Sequence, residues 1–77
     1  MSPEPYYPRE AEPSNLEEAV QYAAYYFWHS GFRAFVAGWC YGNGMTGVEI
    51  AELLSIGKDK LNRLATQGQL DTVFDYR

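Results

Sequence analysis

MTGVEIAELLSIGKDKLNRLATQGQL, residues 45–70, carries the strongest local signals in the chain. Thr46-Gly47-Val48-Glu49 has the capping-box pattern: a Thr hydroxyl takes the amide three residues on, and the Glu carboxylate returns to the Thr amide. A helix of about two turns should follow, with Ile50, Ala51, Leu53 and Leu54 sharing one face and Glu49 and Glu52 turned away. Ser55-Ile56-Gly57 then supplies a tight turn with Ile56 buried, and a second helix begins near Lys58. Leu61, Leu64 and Ala65 form its inner stripe, and Gly68 ends it. The small Ala51 falls where the two helices are expected to cross.

Upstream, Gly42-Asn43-Gly44 closes a preceding helical region, because each of these residues tolerates positive φ. That region opens at Ser14-Asn15-Leu16-Glu17, a second capping-box pattern, so a helix should begin at Asn15 with Glu17 and Glu18 in its favourable first turn. Leu16, Val20, Ala23 and Phe27 recur at helical spacing and form one apolar stripe. Tyr25, Trp28, Phe32, Phe35 and Trp39 form another, continuous only if the helix runs through Ser30-Gly31. In that case Ala24, Gly31 and Gly38 would make a small-residue groove. Glycine costs roughly 1 kcal/mol inside a helix, so a break near Ser30-Gly31 is the preferred reading over one helix to Tyr41. Residues 1–13 hold all four prolines and read as an extended, flexible arm. Residues 14–77 then form a single helical domain, with an aromatic helical region at 14–41 and the helical pair at 46–70.

Composition narrows the function classes. The apolar share of 47% suits a globular domain, and the 17% aromatic share supplies a core from few large side chains. A net charge of -4 argues against a surface that is basic all round, while leaving room for a local basic patch. Acidity concentrates early, with Glu4, Glu10, Glu12, Glu17 and Glu18 against Arg9 and Arg33. The single Cys40 permits no intramolecular disulfide and no multi-Cys zinc site, and suits a reducing cytoplasm. The start Ser-Pro-Glu-Pro lacks the features of a secretory signal. Gln21, His29 and Arg33 interrupt the apolar stretch from Ala19 to Tyr41, so no membrane span is expected. No catalytic constellation, metal-ligand spacing or phosphate-cradling loop is visible, so the expectation is a non-enzyme without cofactor or metal.

The residues Thr46, Ala51, Glu52, Leu53, Leu54, Ile56, Leu61, Arg63, Leu64, Gly68 and Leu70 resemble, without a gap, the helix-turn-helix of phage excisionases and mercury-resistance-type regulators. The resemblance covers residues 45–70 only. It implies an all-α small domain with a C-terminal helix-turn-helix and at most a rudimentary β wing, for which Leu70, Thr72, Phe74 and Tyr76 offer one alternating strand. It further implies that the second helix enters the major groove of double-stranded DNA. The contact residues would be Lys58, Asp59, Lys60, Asn62, Arg63, Thr66 and Gln67, with Arg63 suited to guanine, Asn62 to adenine, and Lys58 and Lys60 to phosphates. Asp59 is unfavourable to phosphate but suits a helix start and accepts from cytosine.

The function so implied is a small, sequence-specific DNA-binding protein of a phage or mobile element, acting in transcription regulation or directing recombination, and homodimeric through Tyr25, Trp28, Phe32, Phe35 and Trp39. The alternative reading is an inhibitor or adaptor of a host protein, in which the helical pair is scaffold and the acidic, aromatic-rich surface makes a protein-protein contact. A membrane-surface protein is a third. For Lys58, Lys60 and Arg63 an ordinary solvated helix face is the plain alternative, and for the aromatic residues a core.

Overall fold

The computed structural model describes residues 13–70. They form four helices in the order α1 (Leu16–Tyr26), α2 (Phe32–Gly42), α3 (Gly47–Ser55) and α4 (Lys58–Thr66), with no strand among the described residues. The strand expected over residues 70–77 lies outside them except for Leu70, which is helical and buried in the core rather than extended, and the arm expected over residues 1–13 lies outside them except for Pro13.

Each helix boundary has a local cause. The cap of α1 falls one residue later than the expected Ser14: Asn15 is the N-cap, and the Glu18 amide donates to its Oδ1 at 2.8 Å. Glu18, rather than Glu17, reaches back, accepting from the amide and hydroxyl of Ser14 at 2.9 and 3.0 Å. Those two hydrogen bonds hold its carboxyl below the usual carboxylate range. Two cap-forming residues stand side by side here, followed by two glutamates, and either pairing satisfies the pattern. At α3 the expected box is present in full, with the Glu49 amide donating to Thr46 Oγ1 at 3.2 Å and the Thr46 amide donating to Glu49 Oε1 at 2.8 Å.

The break near Ser30-Gly31 is present: α1 stops at Tyr26, and Gly31 sits at φ 94 as the N-cap of α2. The stripe from Tyr25 to Trp39 and the groove of Ala24, Gly31 and Gly38 assumed an unbroken helix and do not form as such. Tyr25 is 78% exposed, Phe32 is buried, and Trp28, Phe35 and Trp39 are half-buried.

Two helix ends share one device. After α2, Gly44 takes φ 95, its amide donates to Tyr41 O at 3.2 Å, and the Met45 amide donates to Cys40 O at 3.1 Å. After α4, Gly68 takes φ 71, its amide donates to Ala65 O at 3.1 Å, and the Gln69 amide donates to Leu64 O at 2.9 Å. Both are the paired pattern of a left-handed residue just beyond a helix C-terminus, which satisfies carbonyls that have no intrahelical donor. At α2 it also turns Met45 inward onto the core containing Cys40.

The α1–α2 hairpin is the base of the domain. α1 packs against α2 on one side and α4 on the other, and α2 carries α3. Leu16, Val20 and Ala23 of α1, Phe32, Val36 and Cys40 of α2, Leu53 of α3, and Leu61 and Ala65 of α4 meet in one core, closed by Met45 and Leu70. Phe27, fourth in the expected α1 stripe, is only half-buried because it caps the helix. Ala51 corrects the sequence reading: it is exposed rather than buried at a crossing, and Leu53 is the residue that α3 buries completely. α3 and α4 each lean on the hairpin rather than chiefly on each other, so no small side chain is needed between them. Among the described residues no helix is long and apolar enough to cross a membrane.

Candidate nucleic-acid interface

The helix α4 exists because Leu61 and Ala65 are drawn to the core and Leu64 flanks them, while every residue one turn away on the far side is polar. It starts at Gly57, whose φ of 106 and ψ of 146 turn the chain sharply after Ile56. Gln21 of α1 steadies its far end by donating from Nε2 to the Ala65 carbonyl at 2.9 Å. With α1 beneath it, the opposite face points away from the protein.

Of the seven expected contact residues, Asp59, Lys60, Arg63, Thr66 and Gln67 are exposed. Their spacing of one, three, three and one places them on one continuous strip. Asn62 is half-buried at the strip's edge. Thr66 bends back, its hydroxyl donating to the Asn62 carbonyl at 2.8 Å, and leaves one side of the strip to Arg63 and Gln67.

Lys58 is placed differently from the sequence expectation. Its ammonium donates to the Trp28 carbonyl at 2.7 Å and lies 4.5 Å from the Trp28 ring centroid. The side chain thus points along the α1–α2 turn, not outward from α4, and is half-buried. A cation on an indole face with a carbonyl acceptor is held by two favourable interactions at once. This contact between α4 and the α1–α2 turn spans thirty positions, and no local pattern in the sequence signals it. Arg33 donates from Nη1 to the carbonyl of Leu54 at 3.0 Å and so ties the start of α2 to the end of α3.

The aromatic residues divide into two groups. Trp28 meets Phe32 edge-on at 5.5 Å beside Lys58. On the other side of the hairpin, Tyr22 lies 4.4 Å from Tyr26 and 5.0 Å from Phe35, and Phe27 stacks on Phe35 at 5.4 Å. Partial burial and the neighbouring Tyr26 raise the Tyr22 phenol above its ordinary value. Trp39 donates from its indole nitrogen to the Pro13 carbonyl at 3.2 Å. Of the five residues expected at a dimer or partner interface, Phe32 is a core residue and presents almost no surface. Cys40 is wholly buried, and its burial pushes the thiol up to about 11. Among the described residues no group of three His, Cys, Asp or Glu stands close enough to hold a metal.

The class defined by this geometry is a small all-helical domain that, among the described residues, presents one polar helix face on an apolar base. Compared with models of protein families, with curated proteins and with solved structures, the chain has no match.

Proposed function

We propose that the protein binds double-stranded DNA and reads it with α4, as the second helix of a helix-turn-helix formed with α3, in a regulatory or recombination-directing role. The observation that carries the reading is the strip Asp59, Lys60, Arg63, Thr66 and Gln67, fully polar and exposed along the length of α4. A helix with side chains is about 10–12 Å across, and the major groove is about 12 Å wide. Arg63 supplies the fork that suits guanine, Gln67 the amide that suits adenine, and Lys60 a phosphate contact. Asp59 disfavours phosphate beside it and so confines backbone contact to the flanks.

Fluorescence anisotropy of labelled genomic fragments at rising salt tests the reading. Binding should weaken with salt; Lys60→Ala should lower the salt slope by about one, and Arg63→Ala should cost about 1–3 kcal/mol and relax specificity. Binding that is absent at low salt, or indifferent to both substitutions, refutes it.

A second reading, engagement of a host protein, draws on the exposed Tyr25, Tyr41 and Val48. Single exposed apolar residues are ordinary, but tyrosines are the usual anchors of protein interfaces. A stoichiometric partner retained after nuclease treatment, and lost in Tyr25→Ala or Tyr41→Ala, would favour this reading; a partner indifferent to both would not. Self-association through Trp28, Phe35 and Trp39 fits either reading.

A further inference from the structure

From its geometry we infer that the groove where α2 begins beside α4 is a phosphate-binding site, and that in the complex with DNA it holds a backbone phosphate flanking the bases read by α4. The inference rests on the reading of α4 as the DNA-facing helix. The groove has a volume of about 380 Å³, and its lining includes Trp28, His29, Gly31, Phe32, Arg33 and Lys58.

Its charge is the reverse of the protein's. The whole chain carries -4, yet among the described residues those lining this hollow include Arg33, Lys58 and an imidazole and not one carboxylate. Both cations are fixed by the fold. Lys58 spends one of its three N–H donors on the Trp28 carbonyl, and Arg33 spends one of its five on the Leu54 carbonyl. The remaining donors stay available, on side chains whose positions no longer have to be ordered on binding. Gly31, which caps α2, has no side chain to offer the first amides of that helix, and among the described residues no side-chain cap hydrogen bond is made to them. Those amides add donors of the same sign at the same end of the hollow. A compact, multiply charged oxyanion suits such donors best, and phosphate is the commonest on a nucleic acid. Lys58 is also the first residue of α4, so the hollow adjoins the start of the reading strip, where a recognition helix meets the flanking backbone.

Two probes separate the site from its use. Inorganic phosphate, titrated into the ¹⁵N-labelled full chain at constant ionic strength, should shift the amides of Gly31 to Ala34 and the Trp28 indole saturably, where chloride does not. Arg33→Gln should weaken that binding about tenfold, as expected for one charge-assisted hydrogen bond. Circular dichroism checks that the variant remains folded. With a short duplex, Arg33→Gln should lower the salt slope by about one. If phosphate leaves these amides unmoved, the inference is overturned. If duplex binds and responds to Arg63→Ala but not to Arg33→Gln, the reading of α4 stands and the inference about the groove falls. If phosphate shifts the groove while no duplex binds, the anion site stands and the reading of α4 falls.

Discussion

Gly57 and Gly38 give the same chemical change, glycine to alanine, opposite expected outcomes. At both positions an added Cβ would meet nothing within 4 Å, so packing contributes to neither. Gly38 lies inside α2 in ordinary helical backbone, where alanine is favoured by about 1 kcal/mol through helix propensity and a more restricted unfolded chain. Gly57 sits at φ 106 and ψ 146, a region populated essentially by glycine, and forcing alanine there costs about 1–3 kcal/mol. It is also the N-cap of α4, a position where glycine is preferred to alanine, which adds to the loss. A domain of this size holds about 3–9 kcal/mol in all, and 1 kcal/mol moves its midpoint by about 4–8 °C. Gly38→Ala should therefore raise Tm by about 4–8 °C, and Gly57→Ala should lower it by about 4 °C or more. Thermal unfolding followed by circular dichroism at 222 nm measures both. A Gly57→Ala variant as stable as the parent would refute the turn between α3 and α4 described above, and with it the direction in which α4 leaves that turn.

Removing the α3 cap with Thr46→Ala should cost about 1 kcal/mol in denaturant unfolding; an unchanged midpoint would mean that the box is not formed. Lys58→Met keeps the apolar stem but loses the Trp28 carbonyl and the ring contact, which should cost about 1–2 kcal/mol and alter tryptophan emission. Neither change would be seen if the ammonium were simply in solvent. Cys40 should resist thiol reagents at pH 8 until the protein unfolds, because the native thiol ionises only near 11. The same shift has a definite sign in stability. The unfolded thiol ionises near its ordinary value of 9.0 while the native one stays protonated, so stability falls between about pH 9 and 11, by up to about 1.4 kcal/mol per unit. Cys40→Ser under matched conditions should flatten that decline.

Local chemistry in the sequence marks the helices well. Thr46 with Glu49, the break at Gly31, the start at Lys58 and the stop at Gly68 all depend on residues within a few positions of one another, and each takes its expected place. The start of α1 moves by one residue because Ser14 and Asn15 are both good caps. Ala51 misleads for a different reason: a small apolar side chain is nearly indifferent to burial, so its place on a short helix is set by Leu53 and its neighbours. In the α4 strip, Lys60, Arg63 and Gln67 could be read from helical periodicity against Leu61 and Ala65. The diversion of Lys58 to Trp28 and of Arg33 to Leu54 could not, since each depends on how separate helices pack. Those two contacts also shape the basic groove, which is why no motif in the sequence announces it.

The central claim, that the outward face of α4 engages DNA, is tested most directly by sedimentation of the protein alone and mixed with duplex fragments at low salt. A boundary in which protein and duplex travel together, returning to separate boundaries with Arg63→Ala or at high salt, is the predicted result. Protein and duplex sedimenting independently under every condition, with the helices intact by circular dichroism, would contradict it.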